Sequence, residues 1–226
     1  MGSATEPVTA RSSALGSRAL LPPEQSGVTD KRLLRGARTR KIVLRQAVDV
    51  ASLEGLGSIS FGHLALATGL SKAGIQTLFK TKEILQVSAV EFARELFIDA
   101  VIRPARSAPH GVARLRALLD HWTVYAETPL FAGGCFRAAN LADFDSHPGP
   151  VRDALLNDQR EWHGVIAAEL GHAVENGEIA ELDVELAVFQ IDALLCAANT
   201  ALQAGDTGAV GKARRIIDGL LVAPRS

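Results

Sequence analysis

The 226 residues predict an all-α fold of about nine helices, a small N-terminal helix-turn-helix unit followed by a larger helical body. Three observations carry this. Apolar residues recur three and four apart, as Leu44, Ala47, Val48 and Ala51 do, while nothing alternates with period two over a useful length. Gly and Pro punctuate the pattern at helical intervals, at Gly55, Gly69, Pro104, Gly133-Gly134, Pro148 and Gly177. The two short segments flanking Gly69 each follow a serine placed to cap them.

The first helix is expected from Arg38 and runs out at Gly55 and Gly57. Ser60 caps a second, Phe61 to Thr68, with Leu64 and Ala67 inward. After the turn at Gly69-Leu70, Ser71 caps a third, Lys72 to Phe79, with Ile75 and Phe79 in the core. Thr81 caps a long fourth helix, whose Glu83 suits the dipole and which Pro104 ends near Ile102. Further helices are expected over about 109–127, 135–144, 151–175, 184–204 and 208–222.

Charge is divided along the chain. Through Lys82 there are 12 Lys and Arg against 5 Asp and Glu, a balance of +7; the remainder has 12 against 20, a balance of −8. Residues 31–45 hold seven basic side chains and no acid. A basic end on an acidic body suits a protein that meets phosphate at one end only. A hydrophobic share of 47% is too high for a wholly disordered chain. No uninterrupted apolar run approaches the ~18–20 residues that cross a bilayer. The first 30 residues lack an apolar signal core, so a cytoplasmic protein without a membrane partner is expected. Cys135 and Cys196 read as small hydrophobes rather than a bridge.

Three helices of about 17, 8 and 8 residues, the last two joined by a tight glycine turn, have the layout of a helix-turn-helix domain, whose third helix enters the major groove. The string Gly69 to Leu85, GLSKAGIQTLFKTKEIL, resembles the tetracycline-repressor (TetR) family. Gly69, Leu70, Ser71, Lys72, Ile75, Phe79, Lys82 and Glu83 fall at the family's positions. Gln76 stands where the family usually has Tyr, and Leu78 where it usually has His.

The resemblance implies an operator-binding homodimer released by a small-molecule effector. Lys72, Ala73, Gln76 and Thr77 would face base edges. Lys82, Lys80, and Arg38 or Arg40 would meet phosphates, helped by the free amides opening the fourth helix. Ser60 and His63 stand at the start of the second helix, where the family often makes a further contact. On this reading residues 1–36 form a disordered basic arm, 37–84 the DNA-binding domain, and 85–226 the ligand-binding and dimerisation domain.

The resemblance also implies an effector pocket among helices four to eight. Its candidate lining is Trp122, Tyr125, Phe131, Phe136 and Phe144, with Trp162, His163, Phe189 and Asn140. Asn140 and Asn199, amides among alanines, must find partners if buried. The dimer face is expected from Leu194, Leu195 and Ala198 of helix eight and Ile216, Ile217 and Leu220 of helix nine.

Other chemistries are not supported. Glu169 and His172 form a single Glu-x-x-His, whereas a di-iron bundle needs two copies and two further glutamates, so no metal is expected. Gly205 to Lys212 misplaces the glycines of a phosphate loop and follows a helix. No Gly-x-Ser-x-Gly occurs, and no cofactor or enzyme activity is expected. The alternative is an all-helical small-molecule-binding protein or enzyme whose N-terminal bundle is merely structural.

Overall fold

The computed structural model describes residues 26–128 and 130–224, and these form nine helices with no strand among them. They are α1 (Ser26–Glu54), α2 (Phe61–Thr68), α3 (Lys72–Phe79), α4 (Lys82–Phe97), α5 (Val112–Glu127), α6 (Phe136–Phe144), α7 (Pro150–Glu175), α8 (Val184–Gln203) and α9 (Ala209–Leu220). A short 3-10 turn, Leu56–Ser58, links α1 to α2.

The first three helices pack on one another and on the start of α4. Val43, Ala47, Val48 and Ala51 of α1 close over Leu64, Ile75, Phe79 and Leu85, all buried. The inner face of α2 is Phe61, Leu64, Ala65 and Thr68; Ala67, expected inward, is exposed. Ser60, Ser71 and Thr81 each accept an amide hydrogen bond from the residue three further on, fixing where α2, α3 and α4 begin. Gly69 ends α2 at φ 69°, a left-handed conformation that a side chain would resist.

Two boundaries differ from the sequence pattern. Helix α1 starts at Ser26 instead of Arg38, so residues 26–36, expected in a disordered arm, are helical; residues 1–25 lie outside the described residues. Only Lys31 to Arg35 in that stretch are good helix formers, with Gly27 and Gly36 at its ends, and Leu33 and Leu34 are exposed, so no buried face announces it. Pro104 does not end the fourth helix. Beyond Phe97 the chain continues through a π turn, Ile98–Ile102, into Arg103–Ala105. The Arg103 amide reaches back to the Ile98 carbonyl, and this wider turn lets the following proline ring avoid the carbonyl it would otherwise strike. α5 begins at Val112, not Pro109.

The larger body is built around α7, which contacts α4, α5, α6 and α8. α8 and α9 pair closely, and α6 lies against α1 as well as α7 and α8. By length and composition α8 is apolar enough to cross a membrane, yet its inner face is packed within this bundle.

Candidate nucleic-acid interface and effector core

Ile75 and Phe79 anchor α3 from one side, which leaves Lys72, Ala73, Gln76 and Thr77 together on the outside. Helical spacing explains the division, since 72, 73, 76 and 77 share a face and 75 and 79 share another. The Thr77 hydroxyl donates to the Ala73 carbonyl at 2.8 Å, which fixes its rotamer. Ser60 is exposed and His63 half-buried at the start of α2.

The basic cluster divides in two. Arg38, like Arg35 and Lys41, is exposed. Arg40, expected at a phosphate, turns inward: Nη2 donates to Ser88 Oγ at 2.7 Å, Nη1 to the Leu78 carbonyl at 3.3 Å, and the guanidinium lies 4.4 Å from the centre of the Phe79 ring. It is a clamp between α1, α3 and α4. Arg45 likewise donates to the Leu130 carbonyl and pairs with Asp49. Lys82 is exposed, and its Nζ donates to the Gly57 carbonyl at 2.6 Å, tying the start of α4 to the 3-10 turn. Lys80, also exposed, occupies φ 61°, ψ −59° between α3 and α4. The Thr81 amide spans it to the Phe79 carbonyl at 2.6 Å, making a strained γ-turn.

The aromatic candidates form one core rather than one cavity wall. Phe97 meets Tyr125 and Trp162 edge to face at 5.2 and 5.3 Å, and Phe131 meets Tyr125 and Phe136 at 6.1 Å. Trp122 is buried in the same core. Asn140 is fully buried and committed to backbone: Nδ2 donates to Phe136, and Oδ1 accepts from Leu56. Asn199 Oδ1 similarly accepts the Cys135 amide at 3.0 Å. Phe144 is half-buried beside His147, away from the Tyr125 cluster. His163 and Phe189 line an open groove between α7 and α8 with Ala167 and Val188. Phe189 is 69% exposed, so it is no part of an interior pocket.

Buried charge, absent from the sequence candidates, organises this core. Arg137 Nη1 pairs with Asp158 at 3.2 Å, and Nη2 lies 3.7 Å from Asp192. Asp192 also receives Gln159 at 3.3 Å and faces His163 Nε2 at 2.9 Å. Burial holds the Asp158 carboxyl above the usual range against the pull of Arg137. Burial, Asp192 and Cys135 push the Cys196 thiol up to about 12. Burial likewise raises the Tyr125 hydroxyl. A signal was present: Asp158 falls in the apolar row Val151, Leu155, Trp162, and Asp192 in Val188, Ile191, Leu195.

Two cavities open beside this cluster. One of about 140 Å³ is bounded by Ile98 and Ile102 of the π turn, Trp162 and Val165 of α7, and Arg94, Arg106, Asp158 and Glu161. A second, of about 340 Å³, shares Ile102, Arg106, Glu161 and Val165 and reaches Leu118 and Glu169. The void beside Tyr125 and Phe136 is about 10 Å³, room for a single water. Trp162 Nε1 is buried without a hydrogen-bond partner among the described residues.

Comparison with known proteins places this arrangement. Residues 111–217 match the family described as tetracyclin repressor-like, C-terminal domain. A TetR transcriptional regulator from Chloroflexus aurantiacus is 26% identical, with a TM-score of 0.76 over 82% of this chain and 94% of that one. A TetR-family regulator from Streptomyces coelicolor is 20% identical, with a TM-score of 0.70 over 83% and 95%. A transcriptional regulator from Saccharomonospora viridis, solved in complex with choline, is 17% identical, with a TM-score of 0.71 over 84% and 100%. No curated protein matches the chain by sequence.

Proposed function

The chain belongs to the TetR family of transcriptional regulators, and on that premise we propose that it is a repressor that binds operator DNA as a homodimer and releases it when a small molecule binds. The observation that carries the reading is the outward face of α3: four side chains suited to base edges stand together on a helix held rigidly from behind by Ile75, Phe79 and Arg40. In the major groove, Gln76 would read adenine and the Thr77 methyl would meet a thymine methyl. Lys72 and Ala73 would approach neighbouring bases. Arg38, Lys80, Lys82, Ser60 and His63 would follow the backbone, which positions the protein without reading sequence. Arg40 is left out of the contact set, because its guanidinium is turned inward to Ser88, the Leu78 carbonyl and the Phe79 ring.

The effector is a small amphipathic molecule entering between α4 and α7. An apolar floor of Ile98, Ile102 and Val165 beside paired charges of both signs, with the free Trp162 N–H, supports this. Opening there would shift α4, which carries Ser88, the partner of Arg40, and Gln86, whose Nε2 donates to the Leu56 carbonyl at 2.8 Å. Release can be no stronger than the effector's preference for the shifted state.

The dimer face is the outer stripe of α8 with α9. Leu186, Phe189, Ala193 and Ala197 are exposed in helical register, and Ile216 is exposed on α9. Leu195, Ala198 and Ile217, assigned to this face from sequence, are buried within their own subunit.

The test is fluorescence anisotropy with duplex from the chain's own upstream region and a scrambled duplex, across a salt series. Preference for the upstream duplex, with affinity falling linearly on a log–log salt plot, is the expected result. Equal, salt-independent binding to both would leave the alternative, a helical binding protein without a DNA role.

A further inference from the structure

We propose that His110, Glu169 and His172 form a binding site for a divalent ion of the zinc type, which displaces the guanidinium of Arg114. In sequence Glu169 and His172 stand alone, one Glu-x-x-His on one helix. The fold supplies a third group from another element. His110 lies just before α5, and its ligand atom, one Glu169 oxygen and one His172 nitrogen all lie within 4.8 Å of one another.

The geometry is close to what an ion requires. Zinc bonds of about 2.0–2.2 Å in a tetrahedron set ligand atoms about 3.4 Å apart. His110 Nδ1 already stands 3.1 Å from Glu169 Oε1, and no pair of the three ligand atoms need close by more than about 1.4 Å. The two imidazoles lie against each other, with ring centres 4.5 Å apart and planes tilted by 39°. His172 Nδ1 lies 2.6 Å from its own helix's Ala168 carbonyl and donates to it, which leaves the Nε2 lone pair free. That second bond is how metal-ligating imidazoles are commonly oriented. Glu169 is buried, and its Oε2 accepts the Gly111 amide at 3.0 Å, so the carboxylate is fixed, with His110 Nδ1 3.1 and 3.2 Å from its two oxygens.

Two of the three groups, His110 and Glu169, already face a cation. Arg114 Nη1 lies 2.9 Å from His110 Nε2 and 3.7 Å from Glu169 Oε1, while its other nitrogens donate to the Ala108 and Arg106 carbonyls. A guanidinium and a metal ion cannot share that space, so binding is an exchange of one positive charge for another. Two nitrogen donors and one carboxylate select a borderline transition ion over calcium or magnesium, which prefer all-oxygen sets. The bound ion would join the segment ahead of α5 to α7, with its fourth position open to water.

Titration of the full-length, metal-stripped protein with Zn²⁺ tests this, read by calorimetry and by the thermal midpoint. The expected result is one zinc per chain, with the midpoint rising as zinc is added. His110→Gln with His172→Gln should abolish that stoichiometric site. Both side chains reach the surface, so the fold should survive, as circular dichroism checks. Glu169→Gln, which can still accept from Gly111, should weaken binding at least about tenfold. Arg114→Gln should tighten it. An unchanged stoichiometry in the double variant, or no zinc bound by the parent, overturns the site; an Arg114→Gln chain that binds zinc no more tightly overturns the exchange.

Discussion

Asn140 Oδ1 accepts the backbone amide of Leu56 across 2.7 Å in a fully buried position, so a side chain of the C-terminal body completes the turn that follows α1. The other side of the same turn is held by Gln86 from α4. Replacing Asn140 with Leu keeps the branching of the side chain and strands the Leu56 donor. The expected loss is roughly 1–3 kcal/mol, the cost of a buried unsatisfied amide. Urea unfolding measures it, and a midpoint equal to the parent's would show that the turn does not depend on this bond.

The neighbouring loop approaches α1 even more closely. The Gly133 amide donates to Ser52 Oγ at 3.0 Å, and a Cβ at Gly133 would stand 1.9 Å from the Ser52 carbonyl oxygen. Backbone cannot yield as a flexible side chain can. Gly133→Ala should therefore cost at least roughly 1–3 kcal/mol, the scale of forced overpacking. Gly164→Ala, in the middle of α7 and meeting nothing within 4 Å, is the control and should raise stability by roughly 0.5–1 kcal/mol. Chemical denaturation of the pair separates a specific clash from a general intolerance of alanine.

The first domain was legible because its signals are local. Ser60, Ser71 and Thr81 cap helices that begin at the next residue, and Gly69 turns the chain where it stands. The core of the larger body was not, because its organising interactions join distant residues: Arg137 to Asp158 and Asp192, and Asn140 to Leu56. Aromatic side chains suggest a pocket lining, yet most of those in this body are ordinary core. An acid inside an apolar row was the better sign of a buried polar site. Arg40 illustrates a second limit. A cation in a basic cluster looks the same in sequence whether it faces solvent or a phenyl ring.

Lys80 is the one described non-glycine residue at positive φ. The γ-turn it makes costs about 1–3 kcal/mol, of which glycine would relieve part at the expense of its own chain entropy. Lys80→Gly should raise stability by roughly 1 kcal/mol. If the lysine also meets phosphate, the same variant should bind upstream and scrambled duplexes equally less well, lowering the salt slope by about one. Thermal unfolding and anisotropy on one preparation read both effects; a variant less stable than the parent contradicts the strain.

The exposed stripe on α8 predicts the response to a charge there. Ala193 and Ala197 are small enough to let a partner helix approach closely. Ala193→Glu places an unpaired carboxylate at the centre of the proposed face, where desolvation would oppose association. Sedimentation at micromolar concentration should show dimer for the parent and monomer for the variant, with helicity unchanged. A parent that sediments as monomer removes the dimer from the proposed function.

The final expectation separates reading from holding. Gln76 is exposed on the outer face of α3, whereas Lys82 opens α4 with one of its three donor hydrogens directed at the Gly57 carbonyl. The remaining donors of Lys82 can reach a phosphate without breaking that bond. Gln76→Ala should cost roughly 1–3 kcal/mol on the operator, relax preference at one position in each half-site, and leave scrambled DNA nearly unchanged. Lys82→Ala should weaken both duplexes alike and lower the salt slope by about one for each phosphate it no longer neutralises. Because Lys82 also ties α4 to the turn, Lys82→Gln, which can still donate to Gly57, serves as the control for a purely structural effect. Should Lys82→Gln bind as tightly as the parent while Lys82→Ala does not, the lysine acts through the turn and not through phosphate. Should both bind as tightly as the parent, α4 does not approach the DNA backbone in the way proposed.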